Sequence, residues 1–160
     1  MTYEPKPGDF GVVRTNGWAA RLIQLGTLSR WNHAFIYLGD GIIAEARPKG
    51  GLVIRPAKQY PKIAWNQHQG LTDKQREIIF DTAHSLLGMP YGFLDIVVLV
   101  LRMLGLRFLG GKVLESLCKR QGIICSEYVA ICYQRAGIDL VGKPEYLVTP
   151  GDLAEMLIYQ

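Results

Sequence analysis

Histidine and cysteine are scarce in this sequence of 160 residues, with three of each. Three cysteines cannot all pair, so a disulfide framework is not expected. Their spacing, Cys118-x6-Cys125-x6-Cys132, is also wrong for zinc, whose usual pairs stand two to four residues apart. No metal site and no cofactor is expected. The stretch Met1-Thr2-Tyr3-Glu4-Pro5-Lys6-Pro7-Gly8-Asp9 has no apolar core that could serve as a signal peptide. A cytoplasmic protein is the expectation, unless lysis, a secretion apparatus or a virus particle carries it out. Basic runs with interleaved aromatics are missing too. The formal charge of +4 is scattered over the chain, which suits anionic surfaces in general and makes nucleic acid an unexpected partner.

Repeats, low-complexity tracts and long linkers are absent as well, so residues 1–160 read as one domain with its own core. Pro7-Gly8-Asp9 is a turn leading into a short strand over Phe10-Gly11-Val12-Val13-Arg14. Trp18, Leu22, Leu25 and Leu28 stand at helical spacing within 17–29. Trp31 to Leu38 is rich in β-formers, Gly39-Asp40-Gly41 is a turn cluster, and Ile42-Ile43-Ala44-Glu45-Ala46 returns. Gly50-Gly51 turns the chain again into Leu52-Val53-Ile54-Arg55. Residues 56–70 are irregular, with a short strand at Ile63-Ala64-Trp65.

Thr72 and Gln75 make a capping box. The helix behind them carries Ile78, Ile79, Thr82, Ala83, Leu86 and Leu87 inward and stops at Gly88. Residues 93–109 are strongly apolar and helical in pattern, within an insertion at about 93–111. A further helix starts near Cys125 and runs to Arg135, with Gly137 just past its end. Thr149-Pro150-Gly151-Asp152 turns into a final half-helix. Strands gather toward the N-terminus and helices flank them, which is an α+β pattern.

Cys125 directly follows the apolar pair Ile123-Ile124 and opens a helix. The positive end of the helix dipole stabilises a thiolate there, and the free N–H groups of the first turn can face an oxyanion. The bland reading is a buried, inert cysteine. Cys132 lies about 10.5 Å further along the same helix, too far for a disulfide to Cys125, and reads as core. His33, alone in an apolar strand, reads by itself as a satisfied structural residue. Glu45 changes that, because its strand is a poor place to bury an unpaired carboxylate. If Gly39-Asp40-Gly41 is a three-residue loop, Leu38 pairs with Ile42, and His33 and Glu45 become diagonal neighbours on one face. A two-residue loop would put them on opposite faces. His68, in a polar loop, and His84, on the polar side of its helix, are the weaker candidates for a base.

Four stretches together resemble the NlpC/P60 superfamily. They are Trp31-Asn32-His33-Ala34-x-Ile36-Tyr37, the following strand with Glu45, Leu87-Gly88-Met89-Pro90-Tyr91, and Ile124-Cys125-Ser126-Glu127-Tyr128-Val129. The histidine strand precedes the cysteine helix, which resembles the circularly permuted branch that includes the YiiX-like proteins and is related to lecithin:retinol acyltransferase. The resemblance implies a permuted papain-like fold, an antiparallel sheet packed against helices with the cysteine at a helix N-terminus. It also implies a Cys125-His33-Glu45 triad, with Tyr91 close to the site. Tyr91 and Ser126 are the candidate substrate-binding or oxyanion residues. Pro7-Gly8-Asp9 and Thr149 to Leu153 resemble the family's entry and exit turns.

The implied activity is a thiol hydrolase that cleaves an amide, commonly of cell-wall peptide, through an acyl-thioenzyme. One departure is that 33 residues separate Tyr91 from Cys125. The apolar part of that gap, 93–109, motivates the alternatives of a lipid acyltransferase, deacylase or thioesterase, and of a lipid or dimer contact. It carries three charges in 17 residues, which argues against a transmembrane span. A non-catalytic peptide-binding module is the remaining alternative. The expected partner is a peptide or an acylated small substrate.

Overall fold

Alternation along the strands decides the architecture. In a computed structural model, which describes residues 3–67, 70–92 and 122–158, five strands form one antiparallel sheet. They are β1 (Phe10–Val13), β2 (His33–Gly39), β3 (Ile42–Arg47), β4 (Gly51–Pro56) and β5 (Ala64–Trp65), in the order β4-β3-β2-β1-β5. Among the described residues the helices are α1 (Trp18–Thr27), α2 (Asp73–Ser85), α3 (Cys125–Arg135) and α4 (Pro150–Ile158). Short 3-10 turns occupy Ala57–Gln59 and Glu145–Leu147. The mixed α+β class expected from the sequence is therefore observed. His68, Cys118 and the apolar segment 93–109 lie outside the described residues. No helix among the described residues is long and apolar enough to cross a membrane.

One face of the sheet, with Val12, Ala34, Ile36, Ala44 and Leu52, packs against Ile79 and Ala83 of α2 and Tyr128, Val129 and Cys132 of α3. Full burial of each large apolar side chain there contributes about 1.5–3 kcal/mol. The other face carries Val13, Phe35 and Ile43 and is covered by the irregular segment through Ala57, Tyr60, Ile63 and Trp65. Tyr60 lies flat on Phe35, with ring centroids 5.4 Å apart and planes 7° from parallel.

The β2–β3 turn differs from the three-residue loop on which the site prediction depended. Gly39 pairs with Ile42, leaving Asp40-Gly41 as a two-residue turn with both φ angles positive, 51° and 71°. That is the twist favoured between right-twisted strands, and aspartate and glycine accept it. The register then slips by one between Gly39 and Tyr37, so Leu38 is an extra bulged residue. Beyond the bulge Tyr37 faces Ile43 and Ile36 faces Ala44. That register places Phe35 opposite Glu45 and leaves His33 and Glu45 on one face. The predicted pairing is reached by a different turn.

Polar anchors position the segments around the sheet. Asp9, fully buried, accepts from Tyr3 Oη at 2.6 Å, from the Lys6 N–H at 2.7 Å and from Arg76 Nη1 at 2.9 Å, which ties the entry turn to α2. The Thr72–Gln75 capping box is present as predicted. A second box, Thr149 with Asp152, starts α4.

Candidate active site

His33 is the first residue of β2 and Cys125 the first of α3, so two unlike elements bring imidazole and thiol together at their ends. Both residues are nearly inaccessible, at 8% and 1% exposure, and Glu45 is completely buried. His33 Nε2 stands 2.5 Å from Glu45 Oε2. Burial resists ionisation of the carboxyl, but the bond and charge of His33, the Tyr60 hydroxyl and Arg47 hold it below the usual value. An ionised carboxylate only accepts, so Nε2–H donates to it and Nδ1 is left for the thiol. Burial opposes charge on His33 as well. Its hydrogen bonds to Cys125 and Glu45, and the negative charge on both, outweigh that and push the imidazole up to about 9. The imidazole thus sits between the Glu45 carboxylate and the Cys125 sulfur.

Glu45 has more partners than the sequence suggested. Tyr60 Oη donates to Oε2 at 2.5 Å and Gln59 Nε2 donates to Oε1 at 3.0 Å, while Arg47 Nη1 stands 3.7 Å from Oε1. The phenol and the imidazole therefore share one carboxylate oxygen. Burial and the neighbouring carboxylate push the Tyr60 phenol up, so it keeps its proton. Arg47 was findable, since it stands two residues after Glu45 and shares its face. Tyr60 and Gln59 had no readable signal, lying in a stretch without periodicity.

The strand leading to Cys125 docks on the Tyr91 turn. Ile123 N–H donates to the Pro90 carbonyl, and Gly92 N–H to that of Ile123. Gly122 is required there, because a Cβ would stand 2.5 Å from both the Gly92 nitrogen and the Tyr91 carbonyl carbon. On the other side the turn rests on β4, where Leu52 N–H donates to the Met89 carbonyl and Gly88 N–H to that of Leu52. Tyr91 is thus held beside the thiol, and burial together with the charge of Cys125 pushes its phenol up.

The Ser126 side chain is fully buried and donates to the Val148 carbonyl at 2.6 Å, so its hydroxyl ties α3 to the segment before α4. Cys132 is core, as its spacing suggested, and burial pushes its thiol up. His84 bonds the Phe80 carbonyl through Nδ1 at 3.0 Å and packs on the Phe80 ring, away from the other candidates. Asn32 belongs to the scaffold. Its amide accepts from the Thr15 N–H and hydroxyl and donates to the Thr15 carbonyl, fixing the loop before α1.

A cavity of about 260 Å³ opens beside His33, bounded by Tyr60 and Tyr91, by Thr15 and Asn32, and by Arg47 and Lys49. Among the described residues no group of three His, Cys, Asp or Glu side chains could hold a metal ion. Glu45 sits behind the imidazole and does not converge with it on a common centre.

No family model matches the sequence, and no curated protein matches it. Among solved structures the chain is similar to the crystal structure of metalloprotein yiiX from Escherichia coli O157:H7, DUF1105, with a TM-score of 0.67 and 19% sequence identity. The match covers 96% of this chain and 93% of that one, and the two share a fold over nearly their whole lengths.

Proposed function

We propose that this protein is a thiol hydrolase of the permuted papain-like type, cleaving an amide bond through an acyl-thioenzyme. The observation that supports this best is the ordered chain of contacts from the Cys125 thiol through His33 to the ionised Glu45. The Cys125 sulfur attacks the carbonyl carbon and a C–S bond forms. Backbone N–H groups at the start of α3 and the protonated Tyr91 phenol hold the oxyanion. His33 delivers its Nδ1 proton to the leaving amine as the C–N bond breaks. It then takes a proton from the water that hydrolyses the thioester. Glu45 keeps Nε2 protonated throughout.

The cavity beside His33 offers a peptide amide polar partners in Thr15, Asn32, Arg47 and Lys49, beside apolar surface from Ala20, Ile23 and Pro48. A metal-centred reading, which the description of yiiX invites, would need a third donor beside Cys125 and His33, and Glu45 bonds the far side of the imidazole instead. The test is mass spectrometry of the protein quenched with acid after mixing with cell-wall peptides. An acyl adduct on Cys125 is expected, and its absence with every peptide tried, alongside release of product by Cys125→Ala, would refute the assignment.

A further inference from the structure

We propose that α1 and the turn after it dock on an anionic lipid surface. Leu25 and Leu28 enter the headgroup layer, and Arg14, Arg21 and Arg30 meet the lipid phosphates. This does not depend on the reading of Cys125. Leu25 is 69% exposed and Leu28 94%, against 45% or less for the other exposed large hydrophobics among the described residues, Ile42, Ile54 and Tyr146. Leu28 is also left-handed, at φ of 51°, just past the end of α1. Glycine or asparagine ordinarily ends a helix in that conformation, because a Cβ strains it. A leucine there gains almost no burial to offset the strain. Strain and exposure together point to a partner that the folded chain alone does not supply.

Cations surround the two leucines. Arg21 stands one turn before Leu25 on the same side of α1. Arg30 follows Leu28 by two residues. Its guanidinium lies over the Trp31 ring at 5.8 Å, and that of Arg14 over the same ring at 5.2 Å. All three arginines are exposed. Asp152 and Glu155 of α4 border the cavity beside Leu28, Arg30 and Trp31, but Asp152 is already bonded to Lys143 Nζ at 2.7 Å and to Thr149. Positive charge is in excess on this face. A second copy of the chain fits it less well, since a two-fold contact sets the same three arginines on both sides. An anionic membrane offers apolar depth and negative charge together. The inner side of α1, at Ala20 and Ile23, borders the cavity beside His33, so docking by α1 sets that cavity at the membrane surface.

The test is flotation of the full chain with vesicles of phosphatidylglycerol and phosphatidylcholine, compared with vesicles of phosphatidylcholine alone. Binding to the anionic vesicles is expected to be at least about tenfold tighter at low salt, and to weaken as sodium chloride is added. Arg21→Gln and Arg30→Gln should each weaken it about fivefold. Leu25→Ser and Leu28→Gly should each weaken it about tenfold. Leu28→Gly decides most, because glycine relieves the backbone there, so the urea midpoint should hold or rise while binding falls. Ile54→Ser with Arg55→Gln, on β4, should leave binding in place. Absence of flotation with anionic vesicles, equal affinity for the two kinds of vesicle, or binding indifferent to Leu25→Ser and Leu28→Gly would overturn the proposal. So would a dimer, seen by sedimentation equilibrium, that Leu28→Gly dissociates, since the face would then belong to a second copy. A lower urea midpoint for Leu28→Gly would make the leucine a contact of the fold and overturn the proposal too.

Discussion

His33 Nε2 and Glu45 Oε2 stand 2.5 Å apart although the turn between their strands has only two residues. The bulge at Leu38 restores the shared face that such a turn would otherwise abolish. The consequence is a carboxylate fixed behind the imidazole at no exposure, and it separates the contributions of the three residues. Cys125→Ala or Cys125→Ser should abolish turnover with the fold intact. Glu45→Gln should retain the nucleophile and lower kcat by about a hundredfold, because only the orientation of the imidazole and the support of its charge are weakened. Steady-state kinetics with circular dichroism on the same samples checks both.

Tyr60→Phe keeps the ring that stacks on Phe35 and deletes one donor to Glu45. The carboxylate loses a charge-assisted bond, so its pull on the His33 proton strengthens while the imidazole is less well held. The expected result is a kcat lower by about tenfold and a His33 titration moved to higher pH. Proton NMR of the His33 ring reads the shift. An unmoved titration would mean that Tyr60 only fills space.

Stability should depend on pH through the same pair. His33 goes from about 6.5 in the unfolded chain to about 9 when folded. Its contribution is present in full below about 6.5 and is lost as pH rises through about 9. Glu45 is lowered by folding, so its contribution is present above its unfolded value of 4.5 and is lost as pH falls further. Urea unfolding should therefore show the protein losing a few kcal/mol between about pH 6.5 and 9, relative to a His33→Gln variant. Parallel curves for the two proteins would contradict the assigned shift.

Ser126→Ala should leave the Val148 carbonyl buried without its donor and cost about 1–3 kcal/mol of stability. Turnover by the folded fraction should be retained, because the hydroxyl points away from the cavity. Thermal unfolding and active-site-normalised rates distinguish this from a substrate-binding role, in which KM would rise at unchanged stability.

The strand and helix boundaries were legible because alternation and capping are local. Gly39-Asp40-Gly41 announced a hairpin, Thr72 and Gln75 a helix start, and the residue types around Cys125 a helix N-terminus. The bulge at Leu38 was not legible, because a slip of one residue leaves no mark on composition and depends on the twist the two-residue turn imposes. Tyr60 and Gln59 reach Glu45 from a segment without periodicity, so only the folded path of 57–65 could show them. The partner of Ser126 was not legible either, since its hydroxyl bonds the Val148 carbonyl 22 residues away. The Asp9–Arg76 tie joins residues 67 positions apart and had no local signature either.

The central claim is that His33, held by Glu45, acts directly on the Cys125 sulfur. The rate of Cys125 alkylation by iodoacetamide at pH 7, in the unaltered protein and in His33→Gln, measures this most directly. The account predicts that Cys125 reacts well before Cys132, and that its rate falls by at least about tenfold when His33 is replaced. Equal rates in the two proteins, or a Cys125 that reacts only after unfolding, would contradict it.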